Sequence, residues 1–251
     1  MGSLDEKVAI VTGGGGGVGR GICLAFAKEG ARVVVLDLDP DAAHVVADAV
    51  EGVGGVAFPL TCDISTSEAI EQAVAAVVER FGTVDILVNN AQGARGGVPF
   101  EEITDADLDL TFGTGPVASI RFMRACFPYL KDGSRVINLR SGSELMGMAG
   151  MGAYIAAKGA IGALTRVAAR EWGRHGITVN CLAPAVMSDA AKGYFEDNPD
   201  ELTALTAGMS IPRFGDAESD VGRVAVFLAG PDSAYVTGCT VAADGGGAFY
   251  S

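Results

Sequence analysis

The sequence predicts an α/β fold: one doubly wound domain over residues 1–251, with a seven-stranded parallel sheet flanked by helices. Val/Ile/Leu-rich runs alternate with helix-period segments from end to end. Their near-continuous apolar character marks strands buried on both faces, as in a sheet covered by helices on each side. No composition break, internal repeat or linker divides the 251 residues.

The strand candidates, in order, are VAIVTG from Val8, RVVVLD from Arg32, VAFPLTCD from Val56, DILVNNA from Asp85, SRVINLRS from Ser134, ITVNCLAP from Ile177 and TVAADGG from Thr240. Between them lie amphipathic helices. Asp39 followed by Pro40 opens one, since a carboxylate caps free N–H groups and proline suits the first turn. Another presents Ile70, Ala73, Val74, Val77, Val78 and Phe81 on one face. Ser65 with Glu68 three residues later reads as its capping box.

Composition narrows the function classes. Eighteen basic against 31 acidic residues give a formal charge of −13. That argues against nucleic-acid or anionic-membrane partners, which need clustered Lys and Arg. The N-terminal MGSLDEKVAIV lacks the pattern of a secretory signal, and no apolar run approaches a membrane span. A cytoplasmic protein acting on a small molecule is expected. Cys23, Cys62, Cys126, Cys181 and Cys239 form no CxxC pair and sit among apolar neighbours, so all five are expected as small buried hydrophobes. His44 and His175 share no ligand-like spacing, and no metal site is predicted.

Thr12 and the glycines Gly13 to Gly17, then Val18 and Gly19, follow the first strand and open a helix. Glycines there allow a sharp turn and close approach of a pyrophosphate to helical N–H groups, the Rossmann arrangement. Gly13, Gly16, Gly17, Val18 and Gly19 are the candidate contacts. Asp37, with Leu38 beside it, ends the second strand 18 residues after Gly19. A carboxylate there accepts from adenosine ribose hydroxyls and repels a 2′-phosphate, and no Arg or Lys lies between Thr12 and Gly19. NAD is the expected cofactor, in preference to NADP.

Tyr154 and Lys158 stand four apart in a helical stretch and share one face. Hydride transfer at a carbinol carbon needs a proton donor and acceptor for the substrate oxygen. A phenol of pKa ~10 needs about 4 kcal/mol of differential stabilisation to ionise near neutrality, which an adjacent ammonium and an oxidised nicotinamide together supply. Ser141, 13 residues before Tyr154, is placed to orient the carbonyl oxygen.

With these motifs in view, the chain resembles the short-chain dehydrogenase/reductase family over nearly its whole length. Cys62, Asp63 and Ile64 match the family's acidic position beside the adenine. Asn89, Asn90 and Ala91 match its NNA turn, Asn180 and Pro184 its VNxxxP segment, and Val236–Gly238 with Asp244–Gly246 its C-terminal signature. The resemblance implies Ser141, Tyr154 and Lys158 as the catalytic set, with Tyr154 and Lys158 also touching the cofactor. Asn90, Ala91, Pro184, Met187 and Ser188 are implied as further cofactor contacts, and a homotetramer as the assembly.

Three positions depart from the family pattern. Gln92 replaces the glycine of NNAG, and Ala185 follows Pro184 where glycine is usual, leaving Ser188 or Asp189 to face the carboxamide. Gly115 stands where the family carries a helix Asn that holds a relay water. Either a water or a neighbour such as Thr114 or Ser119 fills that role, or the relay is weaker; if it is incomplete, Gly115→Asn is expected to raise activity.

The loop from Glu144 to Met151 and a lid over about 187–210 flank the site. Met146, Met148, Met151, Tyr194 and Phe195 suggest an apolar pocket for a bulky, cyclic substrate. Arg140 is expected in a structural ion pair, and Arg95 as the contact for an anionic substrate. The reading is thus an NAD-dependent oxidoreductase of secondary alcohols and ketones. The rivals are a 3-oxoacyl-carrier-protein reductase of the same family and a non-catalytic NAD-binding protein. A halohydrin dehalogenase would lack the glycine loop and Lys158, and an extended sugar epimerase needs a longer C-terminal region.

Overall fold

The computed structural model describes residues 2–187, 195 and 197–250. All seven expected runs form strands: β1 (Val8–Thr12), β2 (Arg32–Asp37), β3 (Val56–Thr61), β4 (Ile86–Asn89), β5 (Arg135–Leu139), β6 (Thr178–Pro184) and β7 (Thr240–Ala243). They make one sheet in the order β3-β2-β1-β4-β5-β6-β7, with every neighbouring pair parallel. The order reverses between β1 and β4, and the ligand crevice of such a sheet lies at the carboxyl ends beside that reversal.

Strand alternation sorts the core into two layers. Ala9, Val11, Val33, Val35, Ile86 and Val88 face α1 (Gly17–Lys28) and α2 (Pro40–Gly52). Val8, Ile10, Val34, Leu36 and Leu87 face α3 (Ser67–Phe81) on the other side. That second layer also takes Phe122 and Cys126 of α5 (Ala118–Cys126), and Ala168 and Ala169 of α7 (Gly152–Trp172), which follows the short α6 (Ser143–Met146). Burial on both faces is what the unbroken apolar runs required.

Asp39 caps α2 as expected, accepting from the N–H groups of Asp41 and Ala42 with Pro40 in the first turn. The cap of α3 is Thr66 rather than Ser65: its hydroxyl accepts from Ala69 N. Ser65 N–H is taken by the Asp63 carboxylate at 2.9 Å, so the turn before the helix is set one residue later. Four cysteines are buried, but Cys239 is exposed, because it precedes β7 at the edge of the sheet. No helix among the described residues is long and apolar enough to cross a membrane.

After β4 the chain enters α4 (Asp105–Phe112), capped by a reciprocal Thr104/Asp107 box. It then widens into a π-helical turn at Gly113–Val117 before continuing as α5. Pro116 inside that turn has no N–H to give the regular ladder, so the helix opens there.

Candidate active site

The glycine loop, Asp37, Asn90, Ser141 and Pro184 lie at or just beyond the carboxyl ends of strands, and Tyr154 and Lys158 on α7 beyond β5. At the end of β1, Gly13 and Gly17 adopt φ of 62° and 48°, which L side chains seldom adopt. Gly19 answers a different constraint: a Cβ on it would lie 2.0 Å from the Gly13 carbonyl oxygen. The Asn90 amide donates to the carbonyls of Thr12 (2.9 Å) and Gly13 (3.1 Å). Asn90 N and Ala91 N both donate to Thr12 Oγ1, so the NNA turn braces the glycine loop through its own side chain.

The N-terminus of α1 has no side-chain cap, and a Cβ on Gly16 or Gly17 would meet nothing within 4 Å. Uncapped N–H groups on an open face fit a pyrophosphate. A cleft of about 470 Å³ beside them is lined by Gly13, Gly16, Asp37, Leu38, Cys62, Asp63, Ile64, Asn90, Ala91 and Gln92. Asp37 Oδ2 accepts from Gly15 N at 2.9 Å and Oδ1 from Asp39 N at 3.2 Å, which holds the carboxylate at the cleft wall. Hydrogen bonds from Ser65 keep the Asp63 carboxyl below its ordinary range, and burial pushes the Cys62 thiol up to about 11. These residues fit an adenine dinucleotide.

A second cleft, of about 440 Å³, is bordered by Val18, Ser141, Tyr154, Pro184 and Ala185. Lys158 is buried behind Tyr154: its Nζ is 5.4 Å from the phenol ring centre and donates to the Leu139 carbonyl at 2.8 Å. Ser141 lines the cleft beside Tyr154, and its hydroxyl pairs with Ser143 Oγ at 2.8 Å. Burial lowers the Lys158 ammonium to about 8. The expected downward shift of Tyr154 is not present in the chain by itself. Burial raises it, the Ser141 hydroxyl pulls it back, and Glu144 raises it further.

The apolar wall of this cleft contains Met146 and Met148, as expected, together with Val186, Met209, Phe214 and Ala248. Met151 instead precedes α7 and bridges to Val98. The described lining does not include Phe195. Tyr194, Ser188 and Asp189 lie outside the described residues. Gly17 and Met187 line a neighbouring recess that shares Val186 with the cleft. Within the expected lid, α8 (Pro199–Thr206) is helical, and Gly208 and Met209 reach the cleft. Sequence reasoning did not name Ser143, Met209 or Phe214, and it placed Asp244 in the C-terminal signature without a role at the cleft. Ser143, two residues beyond Ser141, and Met209, inside the expected lid, carried a local signal; Phe214 is brought in by the fold.

Arg140 does form the expected ion pair, with Glu144, both side chains almost wholly buried. Its guanidinium also donates to Thr240 Oγ1 and lies 4.8 Å from the centre of the Tyr250 ring. Arg95 does not line the cleft. It pairs with Asp107 at 3.4 Å, which corrects its expected role as a substrate contact. Neither Thr114 nor Ser119 fills the space at Gly115. Thr114 Oγ1 is committed to Leu110 O and Gly93 N, and Ser119 Oγ donates to Gly115 O. Gln92 occupies that space instead. Among the described residues no group of three or more His, Cys, Asp or Glu is arranged to hold a metal.

A family model described as enoyl-(acyl carrier protein) reductase matches residues 14–248. The chain is also 39% identical, over 255 residues and 98% of each protein, to a 12alpha-hydroxysteroid dehydrogenase from Clostridium sp.. The chain belongs to the short-chain dehydrogenase/reductase family. It superimposes on a short-chain dehydrogenase/reductase from Serratia marcescens with a TM-score of 0.91 at 33% identity, covering 98% of this chain and all of that one. A blue fluorescent protein from a metagenomic library, solved in complex with NADPH, gives 0.89 at 34% identity over 98% of this chain and 100% of its own. Membership in this family makes the chain an oxidoreductase.

Proposed function

We propose that this protein is an NAD-dependent dehydrogenase/ketoreductase acting on a secondary hydroxyl or ketone of a bulky, apolar, ring-bearing substrate such as a hydroxysteroid. The observation that carries the proposal is Ser141 and Tyr154 lining one apolar cleft, with buried Lys158 behind the phenol. The 12alpha-hydroxysteroid dehydrogenase likeness supports the substrate class, and the Met146, Met148, Met209 and Phe214 wall suits a rigid hydrocarbon. Asp37 at the wall of the nucleotide cleft supports NAD over NADP.

A bound nicotinamide supplies or accepts the hydride. Tyr154 exchanges a proton with the substrate oxygen, and Ser141 donates a hydrogen bond to that oxygen, where charge develops. Lys158, held by the Leu139 carbonyl, places positive charge behind the phenol and makes its ionised form less costly. The family resemblance also supports a homotetramer. Exposed Ile120, Phe127 and Val167 on α5, the turn after it and α7 are consistent with a subunit interface, which a sedimentation experiment checks.

The test is turnover of a panel of hydroxysteroids, polyols and 3-oxoacyl thioesters with NAD and with NADP. Activity on hydroxysteroids with NAD, lost in Tyr154→Phe while NAD binding persists, is the expected result. Unchanged turnover in Tyr154→Phe, or activity confined to acyl thioesters with NADP, would overturn the proposal.

A further inference from the structure

Two of the departures noted in the sequence touch each other in the fold. Gly115 is buried at the π-helical turn between α4 and α5, and Gln92 lies in the turn after β4, on the wall of the nucleotide cleft. A Cβ on Gly115 would stand 2.8 Å from Gln92 Nε2 and 3.0 Å from its Cδ. The carboxamide therefore fills the volume that any side chain at 115 would need.

Gln92 Nε2 donates to the Thr111 carbonyl at 3.3 Å. That carbonyl belongs to the last turn of α4, just before the helix widens around Pro116. The neighbouring Gly93 N donates to Thr114 Oγ1 at 2.9 Å, and that hydroxyl donates to Leu110 O at 2.6 Å. The nucleotide-facing turn is thus joined to the helix bend at two adjacent points, and the bend packs on α7, which carries Tyr154 and Lys158. Gln92 Oε1 is buried and accepts from no donor among the described residues.

We infer that Gln92 is a positioning residue: its carboxamide substitutes, from the opposite side of the contact, for the side chain missing at Gly115. It sets the distance between the nucleotide wall and the catalytic helix. Gly115→Asn alone is then harmful, the reverse of the expectation from the sequence, because the new side chain meets Gln92. The inference rests on the proposed NAD binding for its calorimetric readout and on the proposed activity for its kinetic one.

Four proteins test it: wild type, Gln92→Gly, Gly115→Asn and the double variant. NAD affinity is read by calorimetry, KM for NAD and for substrate by kinetics, and folding by thermal unfolding. Each single variant should weaken NAD binding by roughly tenfold and leave substrate KM within about twofold. The double variant should return close to wild type, the non-additivity expected of two groups sharing one space. Gln92→Met, which keeps the volume but not the donor, should fall between wild type and Gln92→Gly. NAD affinity unchanged in Gln92→Gly and Gln92→Met would overturn the inference, as would a double variant whose loss equals the product of the two single losses. If a single variant fails to fold, the double and Gln92→Met decide by the same criteria. Calorimetry stands even if wild type turns over none of the substrates, an outcome that would count against the proposed activity alone.

Discussion

Lys158 Nζ lies 5.4 Å from the centre of the Tyr154 ring while donating to the backbone carbonyl of Leu139. The amine is therefore fixed by the end of β5, and the phenol sits one helical turn away on the same face of α7. Burial lowers Lys158 from 10.5 to about 8, so the folded chain binds fewer protons than the unfolded chain between those values. Stability should then rise with pH across that window, by about 3 kcal/mol for this group. Lys158→Met should remove that contribution, so the two proteins should differ in how stability changes between pH 8 and pH 10. Denaturant unfolding at pH 8 and pH 10 on both proteins checks it; equal slopes would show that the amine is not buried as described.

Asp37 receives N–H groups from Gly15 and Asp39 and presents its carboxylate at the nucleotide cleft. Asp37→Ser should raise KM for NAD by roughly tenfold and improve use of NADP by a similar factor, because a charge opposed to the 2′-phosphate is removed. Initial rates with the two cofactors at fixed substrate measure the change.

Met209 reaches the apolar cleft from beyond α8. Met209→Trp should raise KM for a four-ring hydroxysteroid by about tenfold and leave a small cyclic alcohol within twofold, since only the larger ligand needs that volume. Equal effects on both would place Met209 outside the substrate path.

The Arg140–Glu144 pair is almost fully buried directly beside Ser141. Arg140→Met should cost on the order of 3 kcal/mol of stability, because the Glu144 carboxylate loses its partner in a dry setting, while Arg140→Met with Glu144→Met should recover much of that loss. Urea unfolding of the wild type, the single and the double variant gives the comparison.

Much of this was legible in the residues alone. The seven strands could be read because burial on both faces leaves no polar positions to blur the pattern. The glycine loop, Asp37 and the Ser141–Tyr154–Lys158 spacing could be read because each satisfies a local geometric demand. What escaped depended on contacts across the chain. Arg95 was free in the sequence and is paired with Asp107 in the fold; Met209 and Phe214 join the cleft only because the segment after α8 folds over it. Gly115 looked like a missing side chain, and no spacing rule links it to Gln92, 23 positions earlier. The start of α3 slipped by one residue because Asp63 competes for the Ser65 N–H.

The two clefts differ in what they are made of. Around the glycine loop the nucleotide side is largely main chain, held by Thr12 and Asn90, and tolerates little change. The other wall is built from methionines and a phenylalanine contributed by separate stretches. Substitutions there should change which molecules fit while leaving the hydrogen bonds that brace the glycine loop in place.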